Sequence, residues 1–64
     1  MKPHQQRVVD EKNELDIKSD KLTEFLKSDL FKSIQKEEQD RLTKQLGIMN
    51  QYSNILGERI VNFI

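Results

Sequence analysis

The chain closes on NILGERIVNFI, and this ending is its strongest constraint. Ile55, Leu56, Ile60, Val61, Phe63 and Ile64 crowd a terminus that in most domains frays into water, and one arginine, Arg59, stands among them. Something must cover that apolar surface, and the rest of the chain is short. Its 64 residues, read as a single helical domain over 1–64, bury only about 60% of the surface their unfolded form exposes. Chains of this size compensate with disulfides, metals or oligomerisation. Cysteine is absent and His4 is the one histidine, which leaves oligomerisation as the favoured route. The lack of cysteine fits a reducing cytoplasm. No apolar run approaches the roughly 18 residues of a membrane span, and MKPHQQRVV has no signal-peptide core, so the chain reads as soluble and unprocessed, with no membrane partner.

The 11 Lys and Arg balance the 11 Asp and Glu, so no overall field steers the protein onto DNA or an anionic membrane. Charged residues make up 34% of the chain without a long block of one sign. This is the composition of solvated helix faces, with Glu37 to Arg41 and Asp40 to Lys44 as expected pairs.

The apolar periodicity predicts an all-α fold, a kinked antiparallel helical hairpin. Val8, Leu15 and Leu22 repeat every seven residues and Phe25 and Leu26 extend the stripe, while Glu11, Lys12, Lys18 and Ser19 fill the seam between them. Pro3 suits a first-turn position, which places the first helix at about 3–27. In KSDLFKSIQ the pattern breaks: Ser28, Asp29 and Ser33 are capping candidates, and Leu30, Phe31 and Ile34 are expected to tuck under a corner at 28–35. A second helix at about 36–63 carries Leu42, Leu46, Met49, Tyr52, Leu56, Ile60 and Phe63, with Glu37 and Glu38 in its first turn. Ile48, Ile55, Val61 and Ile64 broaden this stripe beyond what one partner helix can cover, and the helix is expected to outreach the first by a turn or more. Symmetry-related copies are therefore expected to cover ILGERIVNFI. Gly47 and Gly57 interrupt the pattern as either tolerated weak points or places of close approach.

The chain offers no catalytic constellation. His4 lacks an Asp or Ser partner at a meaningful spacing, and neither a glycine-rich phosphate loop nor a metal-ligand cluster is present, so the reading is a non-enzyme without cofactor or metal. Three residues stand apart from the solvated faces to different degrees. Lys21 and Thr23 lie about 100° to either side of Leu22, on opposite flanks of the first helix. Spacing alone makes Lys21 an exposed lysine beside Asp20 and Glu24. Arg59 rims the apolar surface with Tyr52 and Ile55, where a guanidinium suits either a phosphate or an interchain carboxylate.

Together, HQQRVVDEKNELDIKSDKLTEFL and EEQDRLTKQLGIMNQYSNILGERI resemble the phage proteins of the second anti-CBASS sponge type, over roughly residues 4 to 61. The combination of RVVDEK.ELD, KLT.F and QYS.ILGERI carries the resemblance. It implies a compact homohexamer in the host bacterial cytoplasm that sequesters cyclic oligonucleotide messengers of CBASS immunity without cleaving them. Cyclic dinucleotides such as cyclic GMP-AMP would occupy pockets between paired subunits, and cyclic trinucleotides such as cyclic tri-AMP separate pockets near threefold axes. By motif, Lys21 would contact the dinucleotide, and Thr23 and Arg59 the trinucleotide. Relatives stack an N-terminal aromatic side chain on a base; the matching PHQQRVV stretch offers His4 instead, or Gln6 if the register shifts. The competing reading is a helical adaptor that docks its apolar face on another protein. A helix-turn-helix DNA binder is disfavoured by the zero net charge and the lack of a basic recognition helix.

Overall fold

The computed structural model describes residues 1–63. These residues are all-helical, with no strand among them: α1 spans Pro3–Leu26, α2 Asp29–Lys32 and α3 Lys36–Val61. Ile64, counted in the apolar ending, lies outside the described residues. Helices α1 and α3 lie side by side as a hairpin whose Cα extents are 46 × 14 × 13 Å.

Local chemistry sets each helix boundary. The Lys2 backbone N–H donates to Gln5 Oε1 at 3.0 Å and Pro3 opens the first turn of α1. At the corner, the Ser28 hydroxyl donates to the Phe25 carbonyl at 2.6 Å and accepts from the Phe31 N–H at 3.2 Å, closing α1 and capping α2 together. The rings of Phe25 and Phe31 meet edge to face with centroids 6.0 Å apart. Gln39, one turn into α3, donates its side-chain amide to the carbonyls of Phe31 at 3.1 Å and Ile34 at 3.0 Å. One amide thus caps the Ile34 carbonyl and gives a second donor to the Phe31 carbonyl, which also accepts from the Ile34 N–H at 3.3 Å.

Several expectations need correction. Leu30 is not tucked under the corner but 64% exposed, because in a single-turn helix it points away from the side on which Phe31 meets Phe25. Tyr52 leaves the helix seam and is exposed, while Ser53 is buried there. Ser53 completes a strict four-three alternation from Leu42 through Leu46, Met49, Leu56 and Ile60 to Phe63, so the seam needs position 53 whatever its polarity. The arms are nearly equal at 24 and 26 residues, so α3 does not outreach α1 by a turn. Leu56, expected to need another copy, is fully buried within the hairpin itself. On the charged face, Arg41 pairs with Glu38 and Asp40 with Lys36, in place of Glu37 and Lys44.

What the hairpin leaves uncovered is lateral as well as terminal. Val8 and Leu56 are its buried apolar residues, and Leu15, Leu22, Leu42, Leu46 and Met49 are only half-buried. Ile48, Tyr52 and Ile55 stand exposed on α3, and Val61 is exposed near its end.

Candidate functional site

A polar region flanks the hydrophobic seam. On one flank, Lys12 Nζ donates to Asp16 Oδ2 at 2.8 Å and to Ser53 Oγ at 3.0 Å, and Ser53 Oγ donates to Asp16 Oδ1 at 2.5 Å. This closed triangle ties α1 to α3. Hydrogen bonds from Lys12 and then Ser53, reinforced by the lysine's charge, hold the Asp16 carboxyl below its ordinary value against an opposing effect of burial. Gly57 lies one turn beyond Ser53, where an added Cβ would sit 3.4 Å from Lys12 Cε. The close approach at this glycine is therefore to a lysine stem. Gly47 has open space around it.

Sequence reasoning placed Lys12 in the seam without giving it a partner, and passed over Asp16 and Ser53. The available signal was position 53 in the four-three series. A small polar residue at such a core position requires a polar partner across the seam.

The same flank holds Ser19 and Thr23. Thr23 is half-buried, and its hydroxyl donates to the Ser19 carbonyl at 2.8 Å. With its proton committed, the hydroxyl presents lone pairs, which suit a ligand hydroxyl or amine better than a phosphate oxygen. The Ser19 hydroxyl is buried without a hydrogen-bond partner among the described residues.

Lys21, His4, Gln6 and Arg59 are exposed. Gln6 Nε2 donates to Asp10 Oδ1 at 2.9 Å, and Lys21 makes no ion pair with Asp20 or Glu24. One chain does not assemble the candidate sets. Lys12 contacts both Ser53 and Gly57, so Arg59 lies level with the region of Val8, about 20 Å along the hairpin from Thr23 at 1.5 Å per residue. Arg59 also rises on the Tyr52 flank of α3, opposite the flank of Ser53 and Thr23. His4 and Lys21 are separated by a similar length of α1, about 25 Å. A pocket using either set would draw on more than one copy.

Among the described residues, no group of three or more His, Cys, Asp or Glu could hold a metal ion, and no helix is long and apolar enough to cross a membrane. A 310 Å³ hollow on α3 is lined by Arg41, Lys44, Gln45, Ile48 and Met49.

The described residues form a short helical hairpin with a half-filled core, solvent-facing cations and polar groups along its seam. The chain belongs to the Sequestin family, whose model matches residues 2–62. That membership agrees with the resemblance to anti-CBASS sponges and implies a sequestering protein rather than an enzyme. No curated protein and no solved structure is significantly similar to the chain.

Proposed function

We propose that this protein is a phage sponge that binds cyclic oligonucleotide messengers of bacterial CBASS defence in the host cytoplasm and holds them uncleaved. The observation that carries this reading is the family match over nearly the whole chain. Two features support it. The hairpin buries too little apolar surface to be a comfortable monomer, which favours a homo-oligomer, and the resemblance makes that a hexamer. The candidate ligand residues are dispersed along one chain, as expected for pockets completed by symmetry.

In this reading Lys21 contacts a cyclic dinucleotide such as cyclic GMP-AMP, with His4 or Gln6 replacing the stacking aromatic. Thr23 and Arg59 contact a cyclic trinucleotide such as cyclic tri-AMP. Arg59 supplies a bidentate donor to phosphate, and Thr23 accepts from a base or ribose donor.

The test is to incubate purified protein with a panel of cyclic di- and trinucleotides, filter, and heat-denature the protein. Depletion of a messenger followed by recovery of the intact nucleotide supports sequestration; recovery of linear products would indicate cleavage. The adaptor reading draws support from the exposed Ile48, Tyr52 and Ile55. Failure to deplete any messenger decides for it.

A further inference from the structure

The exposed face of α3 has a composition of its own. At 100° per residue, Arg41, Lys44, Ile48, Tyr52, Ile55 and Arg59 fall within an arc of about 80°, well to one side of the seam. Cations stand at both ends with apolar side chains between them, and no carboxylate enters the arc from Arg41 to Arg59. All six residues are exposed, and neither Lys44 nor Arg59 is ion-paired within the described residues. The hollow lined by Arg41, Lys44, Gln45, Ile48 and Met49 opens at one end of this stripe.

The outer face of α1 has the reciprocal arrangement. Asp10, Glu14, Ile17, Asp20 and Glu24 share an arc of about 120° on the side away from α3. Ile17 is 55% exposed at its centre, and none of the four carboxylates is in an ion pair among the described residues. Lys21 is the one cation in this arc and lies near its edge.

We propose that the basic, apolar-centred stripe of α3 docks on the acidic outer face of α1 of a second copy, with Ile17 seated against Ile48 and Tyr52. Charge selects this pairing over its alternatives. Packing α3 on α3 in antiparallel fashion brings Arg41 toward Arg59, and packing α1 on α1 sets carboxylates against carboxylates. Only the mixed contact matches opposite signs at both ends, while the central isoleucines and tyrosine supply the buried apolar area. The contact is head-to-tail, so each chain uses one face as donor and the other as acceptor, and copies add until a ring closes. Lys21 then lies at the edge of a junction between copies, where a neighbouring chain can complete a pocket around it. This inference rests on the sequestering assembly proposed above and names the surfaces that build it.

The natural chain has no cysteine, which makes directed cross-linking clean. Ile17→Cys chains are mixed, without nucleotide, with chains carrying Ile48→Cys, Tyr52→Cys or Ile55→Cys, and then oxidised. The expected result is a disulfide-linked dimer in at least one mixture, in excess of that formed by either chain alone. Disulfides confined to single variants, or absent from all three mixtures, overturn the interface. Charge reversal gives a second measurement. Arg41→Glu with Lys44→Glu, and separately Asp20→Lys with Glu24→Lys, should each lower the mass seen in light scattering, and all four substitutions in one chain should restore it. Native mass in the Asp20→Lys, Glu24→Lys chain, or no recovery in the fourfold variant, overturns the proposal even if a single-face variant unfolds. A chain that captures messengers but forms no mixed disulfide refutes this interface alone. A mixed disulfide without capture refutes the sequestering reading alone.

Discussion

Ser53 shows how one small polar side chain organises this seam. Its hydroxyl accepts from Lys12 and donates to Asp16, so a position that would otherwise hold an aliphatic residue becomes the junction of two helices. Polar groups at such positions select one alignment over its slipped alternatives, because a slip leaves a buried donor or acceptor without a partner. The Asp16 carboxyl is held below its ordinary value of 3.8, so folding favours its charged form. The stability it contributes is present above that value and is lost as pH falls through the lower folded-state value. Asp16→Asn should therefore flatten the acid limb of a plot of melting temperature against pH below 3.8; an unchanged limb would show that the triangle carries no linkage. Ser19 is the opposite case, a buried hydroxyl with no partner. Ser19→Ala removes that group and improves helix propensity, and should stabilise the protein by about 1 kcal/mol in urea unfolding. A loss of similar size would mean that the hydroxyl is satisfied in solution.

Between the two long arms, the corner depends on a few hydrogen bonds more than on propensity. Gln39 holds the carbonyls of Phe31 and Ile34 with one amide, and Ser28 links the end of α1 to the start of α2. Gln39→Ala leaves both carbonyls without that donor and should cost about 1–3 kcal/mol, with the Phe25 and Phe31 rings losing their fixed edge-to-face signature in NMR. Retained ring-current shifts would place the corner's stability elsewhere. The arms themselves were legible in sequence, since Leu42, Leu46, Met49, Leu56, Ile60 and Phe63 follow a period that only a helix with one buried face requires. α2 was not, because four residues are too few to display a period and its cap competes with two other serine or aspartate candidates. The Lys12–Asp16–Ser53 triangle was also hidden: its cross-seam bonds join residues 41 and 37 positions apart, and only the hairpin's alignment brings them together. For the candidate ligand residues, pattern gave Lys21 and Thr23 their opposite flanks and Arg59 its place beside Tyr52. Their assignment to particular messengers came from the resemblance, because spacing carries no information about a ligand held between chains.

In the proposed assembly, rather than in the single hairpin, these residues would acquire a common purpose. With Val8 and Leu56 as the buried apolar side chains, stability should rise with protein concentration, as it does when folding and association are coupled. In the proposed assembly the candidate cations are expected to act independently. Lys21 lies on the outer face of α1, and Arg59 lies on the exposed face of α3 some 20 Å along the hairpin, estimated from the helical rise. No side-chain network between the two is present among the described residues, so loss of one has no local route to the other. A charge-assisted contact to phosphate is worth about 1.5–3 kcal/mol, roughly ten- to a hundredfold in affinity, and symmetry repeats the loss for each copy lining a pocket. Lys21→Ala is therefore expected to weaken cyclic dinucleotide binding while sparing trinucleotides, and Arg59→Ala to do the reverse, each read in preparations that light scattering shows to be assembled. Of the two proposed sites, the trinucleotide site is the more secure, because in the proposed dinucleotide site the imidazole of His4, or the amide of Gln6, would stand where the resemblance places a stacking aromatic ring. Calorimetric titration of both ligand classes into both variants reads all of this at once. If either substitution abolishes both ligands in an intact assembly, the sites are one site, and the division of Lys21 from Thr23 and Arg59 is wrong.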